Sequence, residues 1–187
     1  NVGQRIFGEN KIQEMTQKWE VLPKDIDWHM IGNLQRNKIK YMAAYVSLIH
    51  GVENFKVLEE INKQALKHDR IINCLLQIKI AKEDTKAGMT LAQAKEILCS
   101  AALLSLKNIQ ISGLMGMATF TDDTAQLSEE FNYLKRSFLE LQELEAPNCD
   151  LQTISMGMSG DYELAINCGS TMIRVGSSIF GARNYKI

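Results

Sequence analysis

Short apolar runs alternate with amphipathic segments along the whole chain, and this alternation restricts the fold more than any other feature. Seven runs read as strands because they are brief, rich in aliphatic residues and separated by turn residues. They are Arg5–Phe7, Trp28–Ile31, Val46–Ile49, Ile71–Ile80, Ile109–Leu114, Leu151–Ile154 and Met172–Val175. Several lack polar alternation, which is typical of parallel strands buried on both faces.

Helical periodicity fills the intervals between these runs. The clearest helix covers residues 122–145, where apolar positions alternate by four and three and Asp122, Asp123 and Thr124 offer caps. Two more helices are predicted to follow the cap residues Asn54 and Thr90. Shorter helices fit residues 11–19, 35–44 and 160–167. Strands and helices in regular alternation predict an α/β fold with a parallel sheet.

The number of strands favours a barrel. Seven strands, with a chain that opens at Asn1 almost inside the first of them, predict a (β/α)8 TIM-type barrel whose first βα unit lies upstream of Asn1. A doubly wound open sheet is the alternative. A chain of 187 residues supports one core, so we expect residues 1–187 to form a single, N-terminally incomplete domain.

Composition and charge exclude several classes of protein. The net charge is −1 and the lysines are spread along the chain, whereas a nucleic-acid-binding protein usually carries a basic face. No apolar run approaches the roughly 18 residues of a membrane span. The cysteines are widely spaced and form no CxxC pair, which suits a reducing compartment and predicts a cytoplasmic protein.

Familiar catalytic motifs are missing from the sequence. No GxGxxG follows a strand, and Gly157-Met158-Ser159-Gly160 misses the GxSxG elbow of serine hydrolases by one residue. None of the three histidines has another histidine or a cysteine three or four residues away, which argues against zinc.

Glycine- and serine-rich segments follow the last two predicted strands. In the barrel interpretation, Ser155–Ser159 and Val175–Ile179 are the loops after strands seven and eight, where barrels commonly bind phosphate through backbone amides. Gly176 permits close approach of a ligand, and Ser159 and Ser177 add hydroxyl donors. The alternative is that these residues only form turns and caps.

Arg174 adds weight to the phosphate interpretation. It lies inside a strand that a barrel would bury, and a buried guanidinium stays charged and needs a partner. The partner is either a carboxylate on a neighbouring strand or a ligand at the mouth of the barrel. Because Arg174 precedes Gly176 by two residues, we favour the ligand.

Four other residues are weaker candidates. Asn10 follows the first strand and would stand at the barrel mouth or cap a helix. His29 would point at a ligand or into the core. Met115 and Met117 would line a pocket or fill the core, and filling the core is the more common role.

Five motifs, in order and spread over the whole chain, resemble the pyridoxal phosphate homeostasis family, single-domain relatives of the alanine racemase barrel. They are residues Phe7–Asn10, Trp28–Lys38, Gly113–Met115, Leu151–Asp161 and Arg174–Arg183. The resemblance implies a (β/α)8 barrel that carries pyridoxal 5′-phosphate (PLP) without established turnover and that buffers and delivers this cofactor.

The resemblance also implies roles for individual residues. Arg174 matches the arginine that faces the pyridine nitrogen, and Asn10 matches a pocket asparagine. Ser159, Gly176 and Ser177 match the phosphate contacts. The family's Schiff-base lysine belongs to the first strand, so we expect it upstream of Asn1.

The function predicted from the sequence is therefore PLP binding in vitamin B6 homeostasis by a non-enzymatic, monomeric carrier, with PLP-dependent apoenzymes as partners. The rival functions are a PLP-dependent amino-acid racemase and a barrel that binds another phosphorylated metabolite.

Overall fold

The structure, a computed structural model, describes residues 2–83 and 87–181. Seven parallel strands form one sheet whose spatial order follows the chain. The strands are β1 (Ile6–Glu9), β2 (Asp27–Met30), β3 (Leu48–Val52), β4 (Ile72–Gln77), β5 (Ile109–Met115), β6 (Cys149–Met158) and β7 (Met172–Arg174). All seven predicted strands are confirmed, with bounds that shift by a few residues.

Helices connect the strands on one side of the sheet. They are α1 (Ile12–Val21), α2 (Phe55–Leu66), α3 (Leu91–Leu98), α4 (Thr124–Gln142), α5 (Tyr162–Asn167) and α6 (Ser177–Phe180), with 3-10 helices at Arg36–Tyr41 and Ala101–Ser105. Over residues 2–83 and 87–181, no helix is both long and apolar enough to cross a membrane.

The predicted α-helix over residues 35–44 is wrong, because this segment forms the 3-10 helix Arg36–Tyr41. Its inward side chains, Ile39 and Met42, are both fully buried and lie three residues apart. A spacing of three matches the turn of a 3-10 helix rather than that of an α-helix.

The predicted helix starts are confirmed by side-chain caps. Asn54 accepts a hydrogen bond from the Val57 amide at the start of α2. Thr90 forms a capping box with Gln93 at the start of α3, and the Asp123 carboxylate accepts two amides at the start of α4. Such caps satisfy amide groups that the first helical turn leaves without partners.

The sheet curls into a nearly closed barrel, which confirms the barrel and not the open sheet. The His50 ring on β3 hydrogen-bonds the Ser155 hydroxyl on β6 at 3.0 Å. In a flat sheet these strands, three positions apart, would be separated by about 14 Å. Side chains of β3 and β6 therefore meet across the interior, while β1 and β7 form the two ends of the described sheet.

Candidate ligand-binding site

The two segments predicted as phosphate loops lie side by side, but residues 155–158 of the first belong to β6, so only Ser159 of that segment lies beyond the strand. Strands β6 and β7 are hydrogen-bonded neighbours, with Met158 opposite Arg174. Ser159 directly follows β6, and Gly176 follows β7 and caps the short helix α6. Both loops therefore stand at the carboxyl end of the sheet, where parallel α/β folds place their ligand sites.

Backbone amides from the second loop converge on Ser159. Its Oγ accepts a hydrogen bond from the Gly176 amide at 3.1 Å and from the Ser178 amide at 3.4 Å. A Cβ added at Gly176 would meet nothing within 4 Å, so the space beside these amides is open. The structure thus brings Ser159 and Gly176 together, with Ser177 at the first helical position between the two donating amides. Clustered amides of this kind suit an anion.

The first loop owes its shape to Gly157 and Asp161. Gly157 has a φ of +94°, and a Cβ there would lie 2.6 Å from the Cβ of Ala165 on α5. The Asp161 carboxylate accepts the Met158 amide at 2.6 Å, so this acidic residue closes the turn. Both features hold Ser159 beside β7.

Arg174 is anchored by neutral partners. Its Nη1 donates to the Ser155 hydroxyl at 2.6 Å, and its Nη2 donates to the Gly116 carbonyl at 3.0 Å. Within the residues that the structure describes, neither hydrogen-bond partner is a carboxylate, so the alternative of a structural ion pair on a neighbouring strand is not supported. A guanidinium has five N–H donors, and two are used here.

Burial lowers the pKa of Arg174 to about 10, because desolvation penalises the charged form, while the nearby Asp161 carboxylate acts in the opposite direction. The guanidinium therefore remains protonated at neutral pH.

Two buried histidines extend this anchor across the barrel. His50 Nδ1 lies 3.0 Å from Ser155 Oγ, and His50 Nε2 lies 3.2 Å from His29 Nδ1. Ser155 is 0% exposed, His50 1% and His29 7%. His29 therefore packs inside the barrel as part of a polar chain, and its approach to a ligand stays a prediction.

The electrostatics keep both histidines neutral. Burial lowers the pKa of His29, although Asp27 opposes the shift. Burial also brings the pKa of His50 well below its usual value, and the charge of Arg174 and the ring of His29 act in the same direction. Neutral imidazoles can each donate one hydrogen bond and accept another.

Asn10 is not brought into contact with the phosphate loops. It is exposed beyond β1, and its backbone carbonyl lies so near Gly32 that a Cβ on that glycine would be 2.2 Å away. The helix cap at this point is Lys11, so the alternative role of Asn10 as N-cap is wrong. Its assignment to a ligand pocket stays a prediction.

The methionines of β5 fill the interior. Met115 is buried with Leu48 and Leu75, and Met117 packs against them as a partly buried side chain. Core filling, the more common role, is thus confirmed for both residues.

Sequence reasoning missed two members of the site, His50 and Ser155. His50 lies one residue beyond the predicted end of its strand, so its inward direction was not apparent. Ser155 stood within a recognised motif but received no role. The signal for Ser155 is a polar residue between two apolar ones, Ile154 and Met156. Both neighbours are fully buried in the structure.

A parallel β/α barrel with amides and an arginine at the ends of its last two strands defines a class of phosphate-ligand-binding barrels. Residues 1–184 match the family model for the alanine racemase N-terminal domain. The pyridoxal phosphate homeostasis protein of Aquifex aeolicus is 36% identical over 99% of this chain and 80% of its own length. That of Escherichia coli K12 is 33% identical over 99% of this chain and 79% of its own length. The chain belongs to the pyridoxal phosphate homeostasis proteins within the alanine racemase N-terminal domain family.

Solved structures share the fold. PipY of Synechococcus elongatus, in a form with PLP bound, is 36% identical and superposes with a TM-score of 0.84 over 96% of this chain and 82% of its own. Alanine racemase of Bartonella henselae, at 16% identity, has a TM-score of 0.70 over 97% of this chain and 51% of its own. The second likeness concerns the barrel alone.

Proposed function

We propose that this chain binds PLP and serves PLP homeostasis as a non-catalytic carrier. The observation that carries the proposal is the meeting of the Gly176 amide with the Ser159 hydroxyl. It lies just beyond the end of β7, where Arg174 is held by its hydrogen bonds. PipY, which shares the fold and a third of the sequence, has been solved with PLP bound.

The residues present fit the two polar ends of this cofactor. A phosphate is a multiple hydrogen-bond acceptor that carries close to two negative charges at neutral pH. The hydroxyls of Ser159 and Ser177 can donate to it, and the amides of Gly176 and Ser178 can do so in place of their present bonds to Ser159 Oγ. Open space beside Gly176 leaves room for the phosphate oxygens. The unused N–H groups of Arg174 suit an acceptor such as a pyridine nitrogen.

The chemistry of Arg174 favours carrying over turnover. PLP supplies an electron-poor ring that takes up electrons from bonds at a substrate carbon. Arg174 stays protonated, so it donates a hydrogen bond and cannot bridge a proton to the ring nitrogen as an aspartic acid would. The ring nitrogen thus remains unprotonated, and the ring is a weaker electron acceptor.

Other parts of the proposal concern the setting of the protein. A single domain, a monomeric state, a cytoplasmic location and transfer of PLP to apoenzymes all fit a carrier. Sedimentation velocity tests the oligomeric state, and a stable dimer at micromolar concentration would contradict it.

Calorimetric titration tests the function. We expect PLP to bind at one site, and pyridoxal, which lacks the phosphate, to bind at least tenfold more weakly. Ribose 5-phosphate tests the rival ligand class: binding as tight as that of PLP would favour another phosphorylated metabolite. Incubation with PLP and L- or D-alanine tests the racemase rival, and interconversion at a rate proportional to protein concentration would contradict a non-catalytic role.

A further inference from the structure

Four polar side chains form a continuous hydrogen-bonded chain through the barrel interior. The chain runs from His29 on β2 to His50 on β3, then to Ser155 on β6 and Arg174 on β7. Neighbouring residues on these strands, including Ile49, Ile154 and Met156, are fully buried in the layer that faces the helices. Buried polar groups are costly unless they are hydrogen-bonded, so each member depends on the next.

The direction of the protons follows from the chemistry of the members. Arg174 can only donate, so Ser155 Oγ accepts from it and is free to donate its own proton to His50 Nδ1. A neutral His50 then carries its proton on Nε2 and donates to His29 Nδ1. The reverse direction would leave the Ser155 hydroxyl without an acceptor among residues 2–83 and 87–181.

This arrangement holds only while the rings are neutral. A proton on His50 Nδ1 would make Ser155 Oγ the acceptor of two hydrogen bonds and would leave the serine's own proton without an acceptor among the described residues. A proton on His29 Nδ1 would set two donors against each other between the rings. Either event would remove the acceptor chain behind Arg174.

Resting on the proposed function, we propose that His50 is a positioning residue for Arg174: acting through Ser155, and supported by His29, it fixes the guanidinium that faces the bound pyridoxal ring. His50 does not itself touch the ligand in this scheme. Its role is to accept the serine proton, which turns the lone pairs of Ser155 towards the arginine.

The charges around the chain determine its response to pH. His50 faces His29 and Arg174, and both disfavour its protonation. The Asp27 carboxylate favours protonation of His29, and Asp161 acts on Arg174. With both histidine pKa values lowered by burial, the chain is intact at neutral pH and breaks in acid.

Four variants separate positioning from general packing. His50→Leu removes both hydrogen bonds, whereas His50→Asn keeps an acceptor near the position of Nδ1. Ser155→Ala removes the link to Arg174 with a smaller change in volume. Ser137→Ala is the matched control, because Ser137 on α4 has a buried hydroxyl without a hydrogen-bond partner in the described chain.

The readout is the PLP dissociation constant of each variant at pH 7.5 and at pH 5. At pH 7.5, we expect His50→Leu and Ser155→Ala to weaken binding about tenfold, His50→Asn about threefold, and Ser137→Ala not at all. The double variant His50→Leu/Ser155→Ala should bind PLP no more weakly than the weaker of the two single variants, since both substitutions act along one chain of hydrogen bonds.

At pH 5, the ratio between His50→Leu and the unsubstituted chain should lie closer to one than at pH 7.5, because protons compete for the buried histidines as the pH falls. The ratio is used because the PLP phosphate itself gains a proton near pH 6 and affects all variants alike.

Additive effects in the double variant would overturn the positioning role. So would unchanged affinity in Ser155→Ala, which tests the proposal even where His50→Leu does not fold.

Failure of the proposed function is a separate outcome. If the unsubstituted chain binds no PLP, that function is wrong, and the positioning role is then decided by nitrogen-15 NMR of the Arg174 Nε–H group. Its resonance should shift in His50→Leu and stay in place in Ser137→Ala. An unchanged Arg174 resonance in His50→Leu would refute the role of His50 independently of any ligand.

Discussion

The layer between sheet and helices and the interior of the barrel differ sharply in chemistry. The outer layer holds most of the buried residues, and these are apolar apart from Gln64 on α2 and Glu130 and Ser137 on α4. The interior has a small apolar cluster of Leu48, Leu75 and Met115, next to which lie two histidines, a serine and an arginine. Apolar burial stabilises a fold, whereas buried polar groups add little net stability. The difference supports the proposal that the outer layer maintains the barrel and the interior serves the ligand.

The largest effect is expected in the outer layer. Phe131 on α4 is fully buried, so Phe131→Ala should lower the free energy of unfolding by about 3–5 kcal/mol, through lost burial and a cavity. Phe120 is 96% exposed, and Phe120→Ala should change the free energy of unfolding by less than about 0.5 kcal/mol. Urea unfolding measures both. Equal effects of the two substitutions would mean that α4 does not pack as described.

Arg174→Ala should have the opposite profile, with a large loss of binding and a smaller loss of stability. We expect PLP affinity to fall at least tenfold, with far-UV circular dichroism unchanged and unfolding easier by about 1.5–3 kcal/mol because two hydrogen bonds from a charged group are lost.

Arg174→Lys is the matched control. It keeps the charge but loses the planar fork of donors, so we expect intermediate affinity. If Arg174→Ala is strongly destabilised but its folded form binds PLP as tightly as the unsubstituted chain, Arg174 has a structural role and does not contact the ligand.

Two glycines sharpen the comparison within the candidate site itself. Gly157→Ala places a side chain at φ +94° and against Ala165, so it should cost about 1–2 kcal/mol in backbone strain before any clash. Gly176→Ala meets open space, so stability should hold while the new methyl group obstructs the anion. Thermal unfolding should therefore show the larger loss of stability in Gly157→Ala, and PLP titration should show the loss of binding in Gly176→Ala. A stable Gly157→Ala would contradict the described turn.

The outer layer was also the part that the sequence predicted best. Apolar period and cap residues such as Asn54, Thr90 and Asp123 are local signals, and each helix that they predicted is present. The segment at Arg36–Tyr41 was the exception, because it offers no side-chain cap and few buried positions.

The interior was predicted less completely, since its contacts join residues far apart in sequence. Arg174, Ser159 and Gly176 were predicted as ligand contacts because they lie at or just after the ends of the last two strands. The bond between His50 and Ser155 spans 105 residues, and only the curvature of the sheet brings them together.

A smaller effect concerns stability against pH. The folded-state pKa values of His29 and His50 lie below their ordinary value, so the unfolded chain binds protons more readily than the folded one in mild acid. The contribution to stability is complete above about pH 6.5 and is lost as the pH falls below that value.

Urea unfolding between pH 8 and pH 5 measures this slope. We expect His50→Asn to reduce it, and His68→Gln, at an exposed position two residues beyond the end of α2, serves as the comparison. A slope of equal size in both variants would show that the buried histidines are not its source.

A crystal structure of the chain with PLP tests the central claim most directly. We expect the phosphate to lie against the amides of Gly176 to Ser178 and the hydroxyl of Ser159. We expect the pyridine nitrogen to lie within hydrogen-bonding distance of Arg174. A phosphate bound elsewhere, or a ring that does not approach Arg174, would contradict it.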